Sequence, residues 1–416
     1  MDKKLIATAV FIIVLLIIFA GLMLRAEHQN IQSLRQEYPD LDEAAYSYRM
    51  DAFSLWAIRL PLSFIIPMIF LFSGFSQRLF QITSRGRGIF LSGLLFGLAY
   101  LGIVYLINLP FSFYGSFILR HRYGLTDQTI LRWIELSLKG FLVNNGLMAV
   151  FLWVPYSLIQ RYPENWWWRG GLLMIPVIIF MVFITPLVID PFFSRYTPIQ
   201  EGSLKNGIQE MLHRGGVSNA DIFVVDKSRD TKTMNAYMTG ILSSRRIVLW
   251  DTTINNLDES EVLSITAHEM GHYVKNHIWK GISLGVLGTF LILFLMNVSS
   301  GWIMKASGGA FGFTRLHSYA SLPLLLILLN LFNWLGQPVV NGVSRSFERE
   351  ADLYEISMTR DRGSAVTAME KLYESSLGVP RPSGFYEFWY HTHPSLEDRI
   401  RFYMTEELDE IAKGGQ

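Results

Sequence analysis

The chain contains no cysteine. Disulfides, thiolate metal sites and cysteine nucleophiles are therefore excluded, and any tight metal site must draw on His, Asp or Glu. Charge is also scarce. Only 17% of the 416 residues are Asp, Glu, Lys or Arg, where soluble globular domains carry about 25%. The 36 basic and 35 acidic residues nearly cancel, and no Lys/Arg-rich run marks a nucleic-acid-binding surface. No internal repeat or low-complexity tract is visible. Apolar residues take the missing share: half the chain is hydrophobic and the mean hydropathy is +0.28. This composition points to a bilayer.

Seven stretches are long and apolar enough to span it: about 5–24, 53–75, 89–110, 140–160, 170–189, 281–300 and 319–340. The first follows Lys3-Lys4 and is uncharged from Leu5 to Leu24. That is longer than the 7–15-residue core of a cleaved signal, so it is expected to remain as a transmembrane helix. Asn144 and Asn145 in the fourth stretch, and Asn330, Asn333 and Gln337 in the seventh, are costly in hydrocarbon unless paired or facing water. They are expected either to bond between helices or to line a polar interior. Trp166-Trp167-Trp168 before Arg169 is expected at the membrane interface. Seven spans put the termini on opposite sides. Short loops carry nine basic residues on the N-terminal side against seven opposite, too small a bias to assign the side.

Two regions are soluble in character. After the fifth stretch, Leu204, Ile208, Met211 and Leu212 predict a helix near 202–214, stopped by Gly215-Gly216. Residues 221–226, 235–238 and 246–250 read as short strands. A further helix is expected from about Asp258 to Asn276. It carries Ala267-His268-Glu269-Met270-Gly271-His272. Residues four apart on a helix share a face, so both imidazoles can reach one metal, with Glu269 beside them to take a proton from a zinc-activated water. A catalytic zinc needs a third protein ligand. The best source is Glu348-Arg349-Glu350-Ala351-Asp352, whose Glu348 and Asp352 again share a helix face. One carboxylate can bind metal while the other orients a ligand imidazole; a solvated charged helix is the alternative. Two consecutive spans separate the segments. As an antiparallel hairpin they return both segments to the same membrane side.

With these motifs in this order, the chain resembles the type I CAAX prenyl endopeptidases, integral-membrane zinc proteases of the gluzincin kind. The resemblance runs through His268-Glu269-Met270-Gly271-His272, Glu348-Arg349-Glu350-Ala351-Asp352 after Ser344-Arg345, Asn235-Ala236-Tyr237 with Gly240, Asp190-Pro191-Phe192-Phe193 with Thr197-Pro198, and His393-Pro394-Ser395. It implies a mainly α membrane protein with seven transmembrane helices enclosing a water-filled chamber, and a small α+β zincin-type catalytic domain. Residues 1–190 would be spans one to five, 191–280 and 341–416 the two parts of the catalytic domain, and 281–340 spans six and seven. One Zn2+ per chain would be held by His268, His272 and Glu348, with Glu269 as general base and Asp352 hydrogen-bonded to a ligand imidazole. Asn235 and the Ala236 backbone would pair with an extended peptide by strand addition, although Asn235 also reads as a plain turn residue. His393 would position substrate or stabilise the oxyanion, or simply cap a helix. Arg399 would bind a substrate carboxylate or make a local ion pair. His391 is read as a bystander, and His28, His121, His213, His277 and His317 show no partner pattern.

The expected function is an integral-membrane zinc endopeptidase acting on peptide or protein substrates that are membrane-associated or of CAAX type. The expected location is the plasma or inner membrane in a bacterium and the endoplasmic reticulum in a eukaryote. The bilayer is the other expected partner, with no nucleic acid. The rivals are a heat-shock-type membrane protease with about four spans, disfavoured by five spans ahead of the zinc motif, and a non-enzymatic transporter or scaffold, disfavoured by Glu269.

Overall fold

The computed structural model describes residues 3–217, 220–241 and 244–405; residues 406–416 of the expected C-terminal catalytic part lie outside them. Among the described residues, seven helices are long and apolar enough to cross a membrane: Lys3–Glu37, Glu43–Phe72, Ile89–Arg122, Ile130–Arg161, Trp166–Phe193, His277–Ser307 and Tyr319–Thr359. Each contains one of the seven hydrophobic stretches or most of it, and extends it with polar turns that leave the apolar layer. Phe64, Phe96, Tyr100, Tyr156 and Tyr319 are almost fully buried at the centre of the bundle. Asn144 and Asn145 fall in a wider, π-helical turn, Phe141–Gly146. Asn330 Nδ2 donates to the Ser63 carbonyl at 3.2 Å, a bond between helices.

The soluble part is built on a four-stranded sheet: β1 (Tyr196–Pro198), β2 (Asp221–Val225), β3 (Ala236–Thr239) and β4 (Arg246–Trp250). The order is β1-β2-β4-β3, with β2 and β4 parallel and the outer pairs antiparallel. β1 has only three residues, with Pro198 as its last, and escapes a reading based on alternation. Ile247 and Leu249 of β4 face a core shared with Ile208, Met211, Val262, Ile265 and Met270. This core seats the motif helix, Glu259–Val274, against the sheet. The helix starts where Asp258 and Glu261 form a reciprocal capping box, which satisfies two otherwise free amide groups.

The seventh span runs unbroken into the soluble part, as one helix over Leu322–Thr359. The motif helix crosses it closely: a Cβ placed on Gly271 would lie 3.0 Å from the Ala351 Cα. Glycine at this motif position is what permits the approach. Where the ends of spans three to five meet the sheet, a cavity of about 630 Å³ of mixed polar and apolar lining opens, with Ser116, Arg120, Asp190, Lys227, Asn235 and Tyr237 among its polar residues.

The N- and C-terminal parts are tied together by Glu27, which has no exposed surface. Its Oε1 accepts from Arg49 Nε at 2.8 Å and its Oε2 from the Ser383 amide at 3.0 Å. Glu27→Ala leaves the Arg49 side chain, itself 22% exposed, without its partner. The expected cost is near the lower end of the roughly 3–5 kcal/mol for breaking a buried pair. Thermal unfolding in detergent checks this: Glu27→Ala should melt well below wild type and Glu27→Gln less so. Equal melting of all three would refute it.

Candidate active site

The motif helix and the seventh helix bring His268, His272 and Glu348 together, with one ligand atom of each within 4.8 Å of the other two. Nε2 of His268 and Nε2 of His272 are 3.1 Å apart. They lie 3.3 Å and 3.4 Å from Glu348 Oε2 and Oε1, respectively. Glu348 Oε2 is buried with no hydrogen-bond partner, a costly state for a carboxylate oxygen unless something else occupies its lone pairs. Both imidazoles reach the same point, as i,i+4 spacing predicts, and both present Nε2 there.

The opposite edge of His268 is fully engaged. Its Nδ1 lies 3.1 Å from Asp352 Oδ1, 3.5 Å from Glu355 Oε2 and 3.3 Å from Arg399 Nη2. Arg399, 4% exposed, ion-pairs with Asp352. Of its two expected roles, the local ion pair is the one seen in the structure. Tyr403 OH bridges Asp352 Oδ1 at 3.0 Å and Glu355 Oε2 at 2.8 Å, and Ser264 Oγ donates to Glu355 Oε1 at 2.6 Å. Glu355 and Tyr403 were missed in the sequence. Glu355 is seven residues past Glu348, two turns along the same face, a spacing that could have flagged it. Tyr403 carries no local signal.

Burial works against a charged His268, but the attraction of the Asp352, Glu348 and Glu355 carboxylates around the ring outweighs it and raises the imidazole well above its ordinary value. Burial, then the positive His268 beside it, push His272 down to about 3. Glu269 is partly buried on the adjacent position, and burial pushes its carboxyl up to about 7.

His393 reaches the site from the C-terminal segment, with Nε2 3.4 Å from Glu348 Oε1 and a side chain 53% exposed. Its Nδ1 is 2.8 Å from Thr392 Oγ1. His391 stays out of the donor cluster; its carbonyl accepts from Arg345 Nη1 at 2.5 Å and its ring packs against Tyr386. Asn235 immediately precedes β3 at the open edge of the sheet. Its carbonyl accepts from the Trp250 amide at 3.1 Å, so strand alternation turns the Ala236 and Met238 backbone groups away from β4. Asn235 Oδ1 accepts from the Ala236 amide at 2.8 Å. His277, for which no role was expected, lies with Nδ1 3.0 Å from His272 Nδ1.

Residues 198–407 match the model of peptidase family M48, and residues 22–195 that of the CAAX prenyl protease N-terminal region, five membrane helices. A Bacillus subtilis (strain 168) protein described as uncharacterized metalloprotease YhfN is 31% identical over 85% of this chain and 83% of its own. CAAX prenyl protease 1 of Saccharomyces cerevisiae is 29% identical over 71% of this chain and 68% of its own. The crystal structure of S. mikatae Ste24p superposes with a TM-score of 0.82 at 22% identity, covering 94% of this chain and 98% of that one.

Proposed function

Since the chain belongs to peptidase family M48, we propose that His268, His272 and Glu348 hold one Zn2+ and that Glu269 is the base that serves it. The chain is a multi-pass membrane metalloendopeptidase that acts on peptide or protein substrates. The observation that carries the metal assignment is the three converging donors around the unpartnered Glu348 Oε2. Two imidazole nitrogens and a carboxylate oxygen suit zinc in an open, catalytic site. When bound, the ion supplies Lewis acidity, polarising the scissile carbonyl and making a water easier to deprotonate.

The chain's own residues do the rest. Glu269 takes the proton of the attacking water as its oxygen adds to the carbonyl carbon, then delivers that proton to the leaving nitrogen as the C–N bond breaks. His393, exposed beside Glu348, donates to the developing oxyanion. Asp352 holds His268 at Nδ1, so that its Nε2 stays free for metal. The outward Ala236 and Met238 backbone groups take an extended substrate as an added strand, after Asn235 Oδ1 gives up the Ala236 amide. Residues 1–190 and 281–340 form the membrane bundle, and 191–280 with 341–416 the catalytic unit. The substrates are membrane-associated peptides, CAAX-type ends among them. Five spans ahead of the catalytic unit disfavour the four-span heat-shock type.

Detergent-purified protein is expected to contain about one zinc per chain and to cut an unstructured peptide library at internal bonds. Protein without stoichiometric metal, or with metal and no cleavage, would sink the reading.

A further inference from the structure

We propose that His277 is a positioning residue of the metal site: with Glu350 it forms a histidine–histidine–carboxylate relay that fixes the tautomer and ring orientation of His272. This rests on His272 being a metal ligand.

The proton assignment follows from the distances. His272 Nε2 faces His268 Nε2 and Glu348 Oε1, at 3.1 Å and 3.4 Å. A ligand nitrogen there carries no hydrogen, so the neutral ring bears its proton on Nδ1. That Nδ1 lies 3.0 Å from His277 Nδ1. Two ring nitrogens at this distance share one hydrogen, so His277 Nδ1 accepts and the His277 proton sits on Nε2. Nε2 is 3.1 Å from Glu350 Oε2, which accepts it. One arrangement of protons on two neutral rings satisfies every contact. It leaves the negative charge of Glu350 at the far end, where Lys280 Nζ also donates to Oε2 at 3.0 Å.

His277 is built into this place. Asn276 adopts φ of 59°, a left-handed conformation that asparagine tolerates better than most residues. It ends the turn after the motif helix and restarts the chain as the sixth span. The first residue of that span therefore folds back beside His272 rather than continuing the motif helix. The ring is 5% exposed and lies parallel to Phe347, 6° between planes and 4.4 Å between centroids. Phe347 immediately precedes Glu348, so one stack couples the relay to the third ligand. The two ligand histidines are thus supported differently. His268 meets the Asp352 carboxylate directly in the interior. His272 reaches Glu350, whose side chain is 42% exposed, only through His277. A metal-ligating imidazole held at its other nitrogen is fixed in orientation and made more basic, and losing the support typically costs about 10–100-fold in metal affinity.

The test is competition between the full-length, detergent-purified protein and a zinc chelator, with thermal unfolding of metal-free and zinc-loaded protein alongside. His277→Phe keeps a ring on Phe347 and removes both nitrogens. It is expected to weaken zinc binding by about 10–100-fold and to shrink the zinc-induced rise in Tm, while metal-free protein melts near wild type. His277→Gln keeps an acceptor for His272 Nδ1–H and should recover part of the affinity. Glu350→Gln keeps an acceptor for His277 and should lose less than His277→Phe. Wild-type affinity in His277→Phe, beside a Glu348→Gln control that loses zinc, overturns the relay and leaves the metal site standing. A His277→Phe variant that melts lower by the same amount with and without zinc also overturns it, because a packing role would do that. If His277→Phe does not fold, wild-type zinc affinity in both His277→Gln and Glu350→Gln overturns the relay, and a graded loss supports it.

Discussion

Glu269→Gln is expected to lower peptide cleavage by about 10²–10⁴-fold, the usual contribution of a positioned proton-transfer group, while zinc content stays at the wild-type level. The substitution is nearly isosteric and touches none of the three converging donors. It removes only the ability to take a proton from water and pass it to the leaving amine. The base must be ionised to act, so activity should fall as pH drops through the Glu269 pKa. Burial, the largest cause, pushes that carboxyl from its ordinary 4.5 up to about 7. A cation held by His268, His272 and Glu348 favours the ionised form and draws it back. The acid limb of kcat/KM should therefore lie between 4.5 and about 7. Parallel metal analysis and cleavage assays decide the matter. Near-wild-type cleavage in Glu269→Gln would remove Glu269 from the reaction, and loss of zinc together with activity would make it a structural residue of the site.

What was legible in the sequence is what has a short period. His268 and His272 share a face because they are one helical turn apart, and the capping box at Asp258 and Glu261 marks where that helix begins. The seven hydrophobic stretches correspond to seven helices because backbone in hydrocarbon has few other choices. Glu348 was reachable through topology, since the hairpin of the last two spans returns the chain to the motif helix. The misses depend on tertiary placement. His277 lies five residues after His272, off the helical face, and reaches it only because Asn276 takes a left-handed turn. Arg399 stayed undecided because a lone arginine does not reveal its partner; in the fold that partner is the interior carboxylate of Asp352. β1 is three residues long and ends in proline, too short to show alternation.

Arg399 carries the last large expectation. Asp352, Glu355 and Tyr403 have no exposed surface, and Arg399 is 4% exposed. Its guanidinium contacts Asp352 and donates to Tyr403 OH at 3.2 Å, with Tyr403 in turn held by both carboxylates. Two buried acids thus share one permanent cation behind His268. Arg399→Leu matches the apolar volume but strands Asp352 and Glu355 against each other, and breaking such a pair costs roughly 3–5 kcal/mol. The expected result is a large fall in the unfolding temperature of detergent-solubilised protein, with loss of zinc from whatever folds, because the Asp352 support of His268 is lost with it. Arg399→Lys should recover only part: a single ammonium cannot reproduce the guanidinium fork that reaches Asp352, Tyr403 and the His268 edge together. Melting of Arg399→Leu at the wild-type temperature would mean that the interior does not depend on the guanidinium to hold Asp352. A folded, zinc-replete Arg399→Leu enzyme with altered KM alone would instead return Arg399 to the substrate.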